Sequence, residues 1–257
     1  MANLVDERLT KYAEYKQAVR HPQDCFWTIT MVEPITTPIS WFISQYTSIP
    51  PTAITLLRIL FLFPVSALLF LFLKPEYYLL GALAYYLAFI SDNIDGHVAR
   101  ATGKTSKTGA ILDEVSDRMY IVPIISMYIA YYARMPVMTI IGVILLYTRL
   151  FRKIMDLHYV ERFAKPGDAK ASENIFLKLD KKIAPILQRV NPRIEGILVR
   201  FHFAQLTVLF FAPIAYAITG AEEIITVTLI LFFIGQITLD LKHIARILNS
   251  LKGDDTK

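Results

Sequence analysis

Residues 92–117 read DNIDGHVARATGKTSKTGAILDEVSD. Upstream, from Tyr77, the chain is a run of Leu, Ala, Tyr, Phe and Ile, and downstream it becomes apolar again as far as Ala133. Asp92 and Asp95 therefore close one apolar stretch, and Asp113 and Asp117 open the next. Spacings of three and four residues place side chains on one helical face, so Asp92, Asp95 and Ala99 share one stripe and Gly109, Asp113 and Asp117 another. A short turn joining two antiparallel helices brings the stripes together. Ionised carboxylates at the ends of membrane helices are expensive unless something binds them.

Outward from this stretch, composition sets the solvent. The 257 residues are 54% hydrophobic, and the mean hydropathy of +0.44 is too apolar for a water-soluble domain of this length. A spanning helix needs roughly 20 mostly apolar residues. Six segments qualify: Ala53 to Leu73, Tyr77 to Ala101, Thr108 to Ala133, Pro136 to Leu157, Ile197 to Thr219 and Glu223 to Ile247. The expected fold is all-α, a polytopic membrane protein with six transmembrane helices. Continuous helices satisfy their own backbone groups in lipid, and Pro64, Pro123 and Pro213 are tolerable where neighbouring helices absorb the freed carbonyls. The expected organisation is a cytosolic N-terminal segment over 1–50, a six-helix membrane domain over 51–250 with a cytosolic loop near 158–196, and a cytosolic tail over 251–257.

The first fifty residues carry Arg8, Lys11, Lys16 and Arg20 and lack the apolar core of a secretory signal, so they are expected to be retained. Pro34 to Ser48 mixes Ile, Trp and Phe with Thr, Ser and Gln, as in an interfacial helix lying along the membrane surface, with an ordinary linker as the alternative. Four Lys/Arg precede the first span, three fall between Arg100 and Lys107, twelve between Arg149 and Arg200 and four after Leu241; only Lys74 and Arg134 lie on the opposite side, with Arg58 and Arg118 inside spans. Such a bias points both termini, and the acidic motif, at the cytosol. The single Cys25 forms no internal disulfide.

Four facing carboxylates repel strongly at low dielectric, and only bound cations or protons relieve that. Oxygen ligands of this number suit Mg²⁺ or Mn²⁺; zinc would want a Cys/His grouping that the sequence does not offer. Gly96 and Gly109 remove side chains where a ligand or the facing helix must come close. Arg100 and Lys104, with Thr105 and Ser106, supply donors at the same mouth, a fitting grip for a diphosphate beside a metal.

From Asp92 the chain spells D-x2-D-G-x2-A-R-x8-G-x3-D-x3-D, with Asp92, Asp95, Gly96, Ala99, Arg100, Gly109, Asp113 and Asp117 at the fixed positions. This resembles the signature of the CDP-alcohol phosphotransferase family at every fixed position and spacing. The resemblance implies that the four aspartates hold two divalent cations and that Asp117 also acts as the base toward the acceptor hydroxyl. It implies further that Gly96 and Arg100 meet the CDP moiety, that Ser106 lies near the diphosphate, and that the enzyme is a homodimer. Ahead of the first span the family often shows Pro-Asn-x-x-Thr-x-x-Arg. Pro51, Thr55 and Arg58 fit, while Thr52 replaces the Asn and offers cytidine a single hydroxyl donor.

The implied activity is transfer of a phosphoalcohol group, with release of CMP, in phospholipid synthesis. A mouth at the membrane surface favours CDP-diacylglycerol, a CDP-activated lipid, as donor and a small polar alcohol as acceptor; the inverse pairing, CDP-choline or CDP-ethanolamine with diacylglycerol, uses the same motif. Arg149, Arg152 and Arg200, with Lys153, are candidates to hold a phosphorylated acceptor, or are topology determinants and contacts to membrane lipids. Ile175, Leu179, Ile183, Ile186 and Val190 recur at helical spacing among lysines, the pattern of a basic surface helix. The five histidines show no metal-ligand spacing, and nothing points to nucleic acid. Two other classes use carboxylates in membranes. An intramembrane prenyltransferase would have two separated Asp-rich motifs, and a divalent cation transporter leaves Gly96, Arg100 and Gly109 without a purpose.

Overall fold

In the computed structural model, residues 2–20, 24–72, 74–132, 183–196 and 205–235 are described. They are helical apart from loops and one short strand pair. Helix α1 (Ala2–Val19) leads to strand β1 (Asp24–Cys25), then come α2 (Glu33–Tyr46), α3 (Pro51–Leu57), α4 (Phe63–Phe70), α5 (Pro75–Thr102), α6 (Lys107–Met119) and α7 (Ile121–Tyr132). After a helical stretch at 183–188 follow β2 (Ile194–Gly196), α8 (Ala212–Thr219) and α9 (Glu223–Gly235).

Three prolines shape the helices in one way. Thr28–Val32, Arg58–Leu62 and Thr207–Phe211 are π-helical, and in each case a proline (Pro34, Pro64, Pro213) stands two residues beyond. A proline ring clashes with the carbonyl four residues back and offers no N–H to it. A widened turn relieves the clash: the N–H just before each proline bonds five residues back, Glu33 to Thr28, Phe63 to Arg58 and Ala212 to Thr207. The second of these runs α3 into α4, so that Pro51–Phe70 is a single 20-residue apolar rod, and it is the one described helix both long and apolar enough to cross a membrane. Pro123 acts differently. Its clash falls on the carbonyl of Met119, where α6 stops, and α7 resumes after Tyr120.

Helix α5, with 28 residues, is about 42 Å long and forms the axis of the molecule, contacting α1, α2, α3, α4 and α8. The core lies between it and α4, α7, α8 and α9. Phe70, Tyr78, Tyr85, Ile124, Met127, Leu206, Leu209, Tyr216, Ile225 and Leu229 are all buried there. Tyr78 is ringed by Phe70, Tyr131 and Tyr216 at centroid distances of 5.1–6.3 Å. Gly81 lets α4 approach, since a Cβ there would lie 2.7 Å from the Phe70 ring. The outer faces are apolar: Leu57, Leu60, Phe61, Leu68 and Phe72, then Leu79, Leu83 and Leu87, then Val227, Ile230, Leu231 and Ile234 are exposed. Contiguous rows of this kind are suited to contact with hydrocarbon.

Of the segments expected to span, the first falls on the α3–α4 rod, the second on α5, and the third on two helices, α6 and α7, with a break at Tyr120; among the described helices the rod is the one that is long and apolar enough to cross. The fifth and sixth are described only as far as α8 and α9 reach, and the fourth, Pro136 to Leu157, lies outside the described residues. The segment Pro34 to Ser48, expected as a surface helix or a linker, is helical up to Tyr46 as part of α2. Thr36, Thr37 and Ser40 are buried against α5 while Ile35, Ile39, Phe42 and Tyr46 are exposed at helical spacing. A helix that hides its hydroxyls and shows its apolar stripe is suited to a lipid surface.

Helix α1 and the β1–β2 pair were not anticipated. Two- and three-residue strands carry no periodicity that a sequence can display. They are tied by a further contact, since Arg193 donates to Glu33 through both guanidinium nitrogens, one at 2.8 Å, and Glu33 is buried. The N-terminal segment and the segment around Ile194 are thereby pinned together.

Candidate active site

The motif folds as a helical hairpin. Helix α5 ends at Gly103, whose φ of 65° is the left-handed conformation that stops a helix cheaply only at glycine. Three residues on, Ser106 caps α6, its hydroxyl accepting the Gly109 N–H at 2.9 Å. A Cβ on Gly109 would lie 3.0 Å from that hydroxyl and 3.5 Å from the methyl of Thr52, so the glycine keeps the cap intact and lets α3 come close. The antiparallel approach of α5 and α6 follows from this turn.

Asp92, Asp95 and Asp113 converge, each offering an oxygen within 4.8 Å of the others. Between them lies a residue from the first rod, Arg58, only 2% exposed. Its guanidinium pairs with Asp92, with Asp113 at 3.1 Å and with Asp95 at 3.6 Å. Thr55, one turn earlier, donates to Asp95 at 2.7 Å. The π turn begins at Arg58, where it sets the direction in which the side chain leaves α3. Three carboxylates and one guanidinium leave two negative charges, the charge a single divalent cation cancels. Oxygens on opposite sides of a Mg²⁺ ion stand about 4.2 Å apart, so the trio is near the spacing such an ion needs, with the Arg58 guanidinium drawn aside to admit it. Hard, charged oxygen donors in this number are the right chemistry for it.

Asp117 is exposed and stands outside the trio, with Asp92, Asp113 and Arg58 as its charged neighbours. It lines a cavity of about 170 Å³ that runs inward from the acids. Arg58, Asp92, Phe63, Tyr85, Ala88, Phe89, Ser116, Tyr120 and Gln205 line it as well, so acids, an apolar wall and hydroxyl and amide groups share one cavity.

The other expected residues are distributed as follows. Gly96 faces Arg100, whose terminal nitrogen would sit 3.4 Å from a Cβ at that position, so the guanidinium folds back over the glycine. Ser106 and Thr52 flank Gly109 at the hairpin turn. Arg149, Arg152 and Arg200 lie outside the described residues. His97, unassigned from sequence, is buried and shares a hydrogen bond of 3.2 Å with Ser40 of α2, so α2 supports the motif helix from behind. Tyr85 and Tyr86 are packing residues with bonded hydroxyls, Tyr85 donating to Gln205 at 3.2 Å and Tyr86 to the Met31 carbonyl at 2.6 Å. Sequence reasoning matched Arg58 to the pattern ahead of the first span and counted it inside that span, but named no acidic partner for it. The signal was present, because an arginine within an apolar rod requires an acidic partner.

No curated protein matches the chain. The family model for CDP-alcohol phosphatidyltransferase matches residues 48–188, which takes in α3 through α7 and every residue of the acidic hairpin. That is more than half of the chain, and it supports transferase activity on a CDP-alcohol with an acidic cluster able to take a divalent cation. The chain belongs to the CDP-alcohol phosphatidyltransferase family.

Proposed function

We propose that this protein is a multi-pass membrane enzyme that transfers the phosphatidyl group of CDP-diacylglycerol to a small polar alcohol and releases CMP. The observation that carries the proposal is the meeting of Asp92, Asp95 and Asp113 around Arg58, beside a cavity that Asp117 lines. A donor whose acyl chains stay in the bilayer can present its CDP head to a polar mouth at the end of apolar rods. In this reading residues 51–250 form the membrane domain, 1–50 and 251–257 lie on the cytosolic side, the mouth opens to the cytosol, and the enzyme works as a homodimer.

Asp92, Asp95, Asp113 and Asp117 would hold two divalent cations, Mg²⁺ or Mn²⁺. Bound there, they would neutralise charge on the diphosphate and on the departing CMP. Arg100, folded over Gly96, is positioned to swing out and pair with a diphosphate oxygen. Ser106 and Thr52, flanking Gly109, border the face on which the cytidine end would lie. Asp117 takes the proton of the acceptor hydroxyl as its oxygen closes on phosphorus, and placement of the two reactants supplies most of the acceleration.

The test is direct. Purified protein receives radiolabelled CDP-diacylglycerol, Mg²⁺ or Mn²⁺ and a panel of alcohols. The expected result is metal-dependent CMP formation matched by a new phosphodiester. Turnover of a prenyl diphosphate, or metal flux with no CMP, would overturn the proposal.

A further inference from the structure

The helix that carries the first two acids has a back as well as a face. At about 100° per residue, His97 lies about 140° around α5 from Asp92 and about 160° from Asp95, so it points away from the acids, and it is buried against α2. Ser40 of α2 donates its proton to the Thr37 carbonyl at 3.0 Å. In the 3.2 Å contact with His97 the imidazole Nδ1–H is therefore the donor and the Ser40 oxygen the acceptor. Ser40 is fully buried, and its oxygen has a second lone pair to offer.

Helix α1 reaches the same place. It lies on α2 and α5, Tyr15 and Val19 are buried on one side of it, and Tyr12 meets the Trp41 ring edge-on at a centroid distance of 5.4 Å. The Tyr15 hydroxyl stands beside Ser40, Ser44 and Arg100, yet completes no hydrogen bond among the described residues. Burial raises its pKa, so it is present as a protonated donor. A buried phenol without a partner is costly, and the open lone pair of Ser40 is an acceptor in its neighbourhood.

Arg100 is three residues on from His97, about 60° around the helix. It folds back over Gly96, with a terminal nitrogen 3.4 Å from where a Cβ would stand, and has Tyr15 as a neighbour. The acids on the opposite face have their own supports, Arg58 for Asp92, Asp95 and Asp113 and Thr55 for Asp95. Arg100 is left as the group of the motif whose aim depends on the back of the helix.

Under the transferase reading above, we infer that Tyr15, Ser40 and His97 are positioning residues: they fix the rotation of the last turns of α5 and hold the Arg100 guanidinium at the polar mouth. The N-terminal layer, α1 and α2, thereby sets how tightly the diphosphate of the donor is gripped. None of the three touches substrate; each acts through Arg100.

The experiment follows CMP release by the full-length protein in nanodiscs, with CDP-diacylglycerol varied, Mg²⁺ saturating, and the alcohol that the wild type turns over best. Ser40→Ala and His97→Leu should each raise the CDP-diacylglycerol KM by about tenfold, the worth of one hydrogen bond, while the Mg²⁺ concentration for half-maximal rate stays unchanged. His97→Asn, whose amide N–H replaces Nδ1–H, should keep the donor KM near the wild-type value. In an Arg100→Ala background Ser40→Ala should add nothing further. A purely structural role would lower the thermal midpoint and the active fraction and leave the donor KM in place. That result overturns the inference, as does a full additional tenfold rise in the Arg100→Ala background, or His97→Asn behaving like His97→Leu. If His97→Leu does not fold, Tyr15→Phe, which keeps the ring and loses only the hydroxyl, replaces it and should move the donor KM in the same direction. Wild-type turnover with unmoved variants defeats the inference alone, whereas absence of CMP from the wild type with every alcohol defeats the transferase reading and this inference with it.

Discussion

Arg58 is the residue on which the electrostatics of the site turn. Three carboxylates drawn from two helices would repel one another in a partly buried place, and the guanidinium among them makes their approach tolerable without a metal. Removing one partner from such a cluster leaves the others uncompensated. Arg58→Ala should therefore cost about 3–5 kcal/mol of stability in metal-free buffer, read as a lowered melting midpoint, and Mg²⁺ should restore more of that midpoint in the variant than in the wild type. An unchanged midpoint would show that the acids are held apart by other means. Asp117 has a different task at the same scale. It lies outside the trio and on the cavity, and under the proposed mechanism it takes the acceptor's proton, so Asp117→Asn should lower kcat by about 10²–10⁴ while binding of CDP-diacylglycerol is preserved. Near-full turnover in that variant would remove Asp117 from the chemistry.

At the scale of elements, the hairpin and the rod beside it make the site. Gly103 stops α5, Ser106 starts α6, and the Pro64-linked π turn sets where Arg58 leaves α3. Packing of α4 on α5 depends on Gly81, and a methyl group there would sit 2.7 Å from Phe70. The ring is fully buried and cannot step aside. Gly81→Ala should destabilise by about 1–3 kcal/mol in spite of the better helix propensity of alanine, with a drop in thermal midpoint as the measurement. A gain in stability would mean that α4 moves freely along α5. The polar face of α2 against α5, with Ser40 bonded to His97, gives the motif helix a backing that its apolar outer stripe would carry to the membrane surface.

At the scale of the whole molecule, the proposed multi-pass topology sets the exposed apolar rows in the bilayer and the charged cluster at one end of it. In the proposed topology the basic residues around the hairpin put that end in the cytosol, and the chain is convenient for testing this because its one cysteine, Cys25, is buried. In closed vesicles of known sidedness, Lys104→Cys, on the hairpin turn, should react with an impermeant maleimide from the cytosolic face. Lys74→Cys, between α4 and α5, should react from the opposite face. Labelling of both from one side would reverse the topology or reduce the number of crossings.

What could be read without coordinates was whatever depends on local spacing. Acids three and four residues apart on apolar helices, glycine and serine at the turn, and runs of about 20 apolar residues each act through the residues next to them, so the helical class, the hairpin and the acidic motif were legible from 92–117 and its flanks. The tertiary structure decided what depends on meetings between distant residues. Arg58 reaches Asp92 and Asp113 across 34 and 55 positions, Tyr85 reaches Gln205 across 120, and Glu33 reaches Arg193 across 160. No periodicity records such pairs, because they arise only when packing has brought separate helices together. The same holds for α2, whose composition marked it as amphipathic but whose choice to bury hydroxyls and expose isoleucine and phenylalanine was made by the helix it lies against.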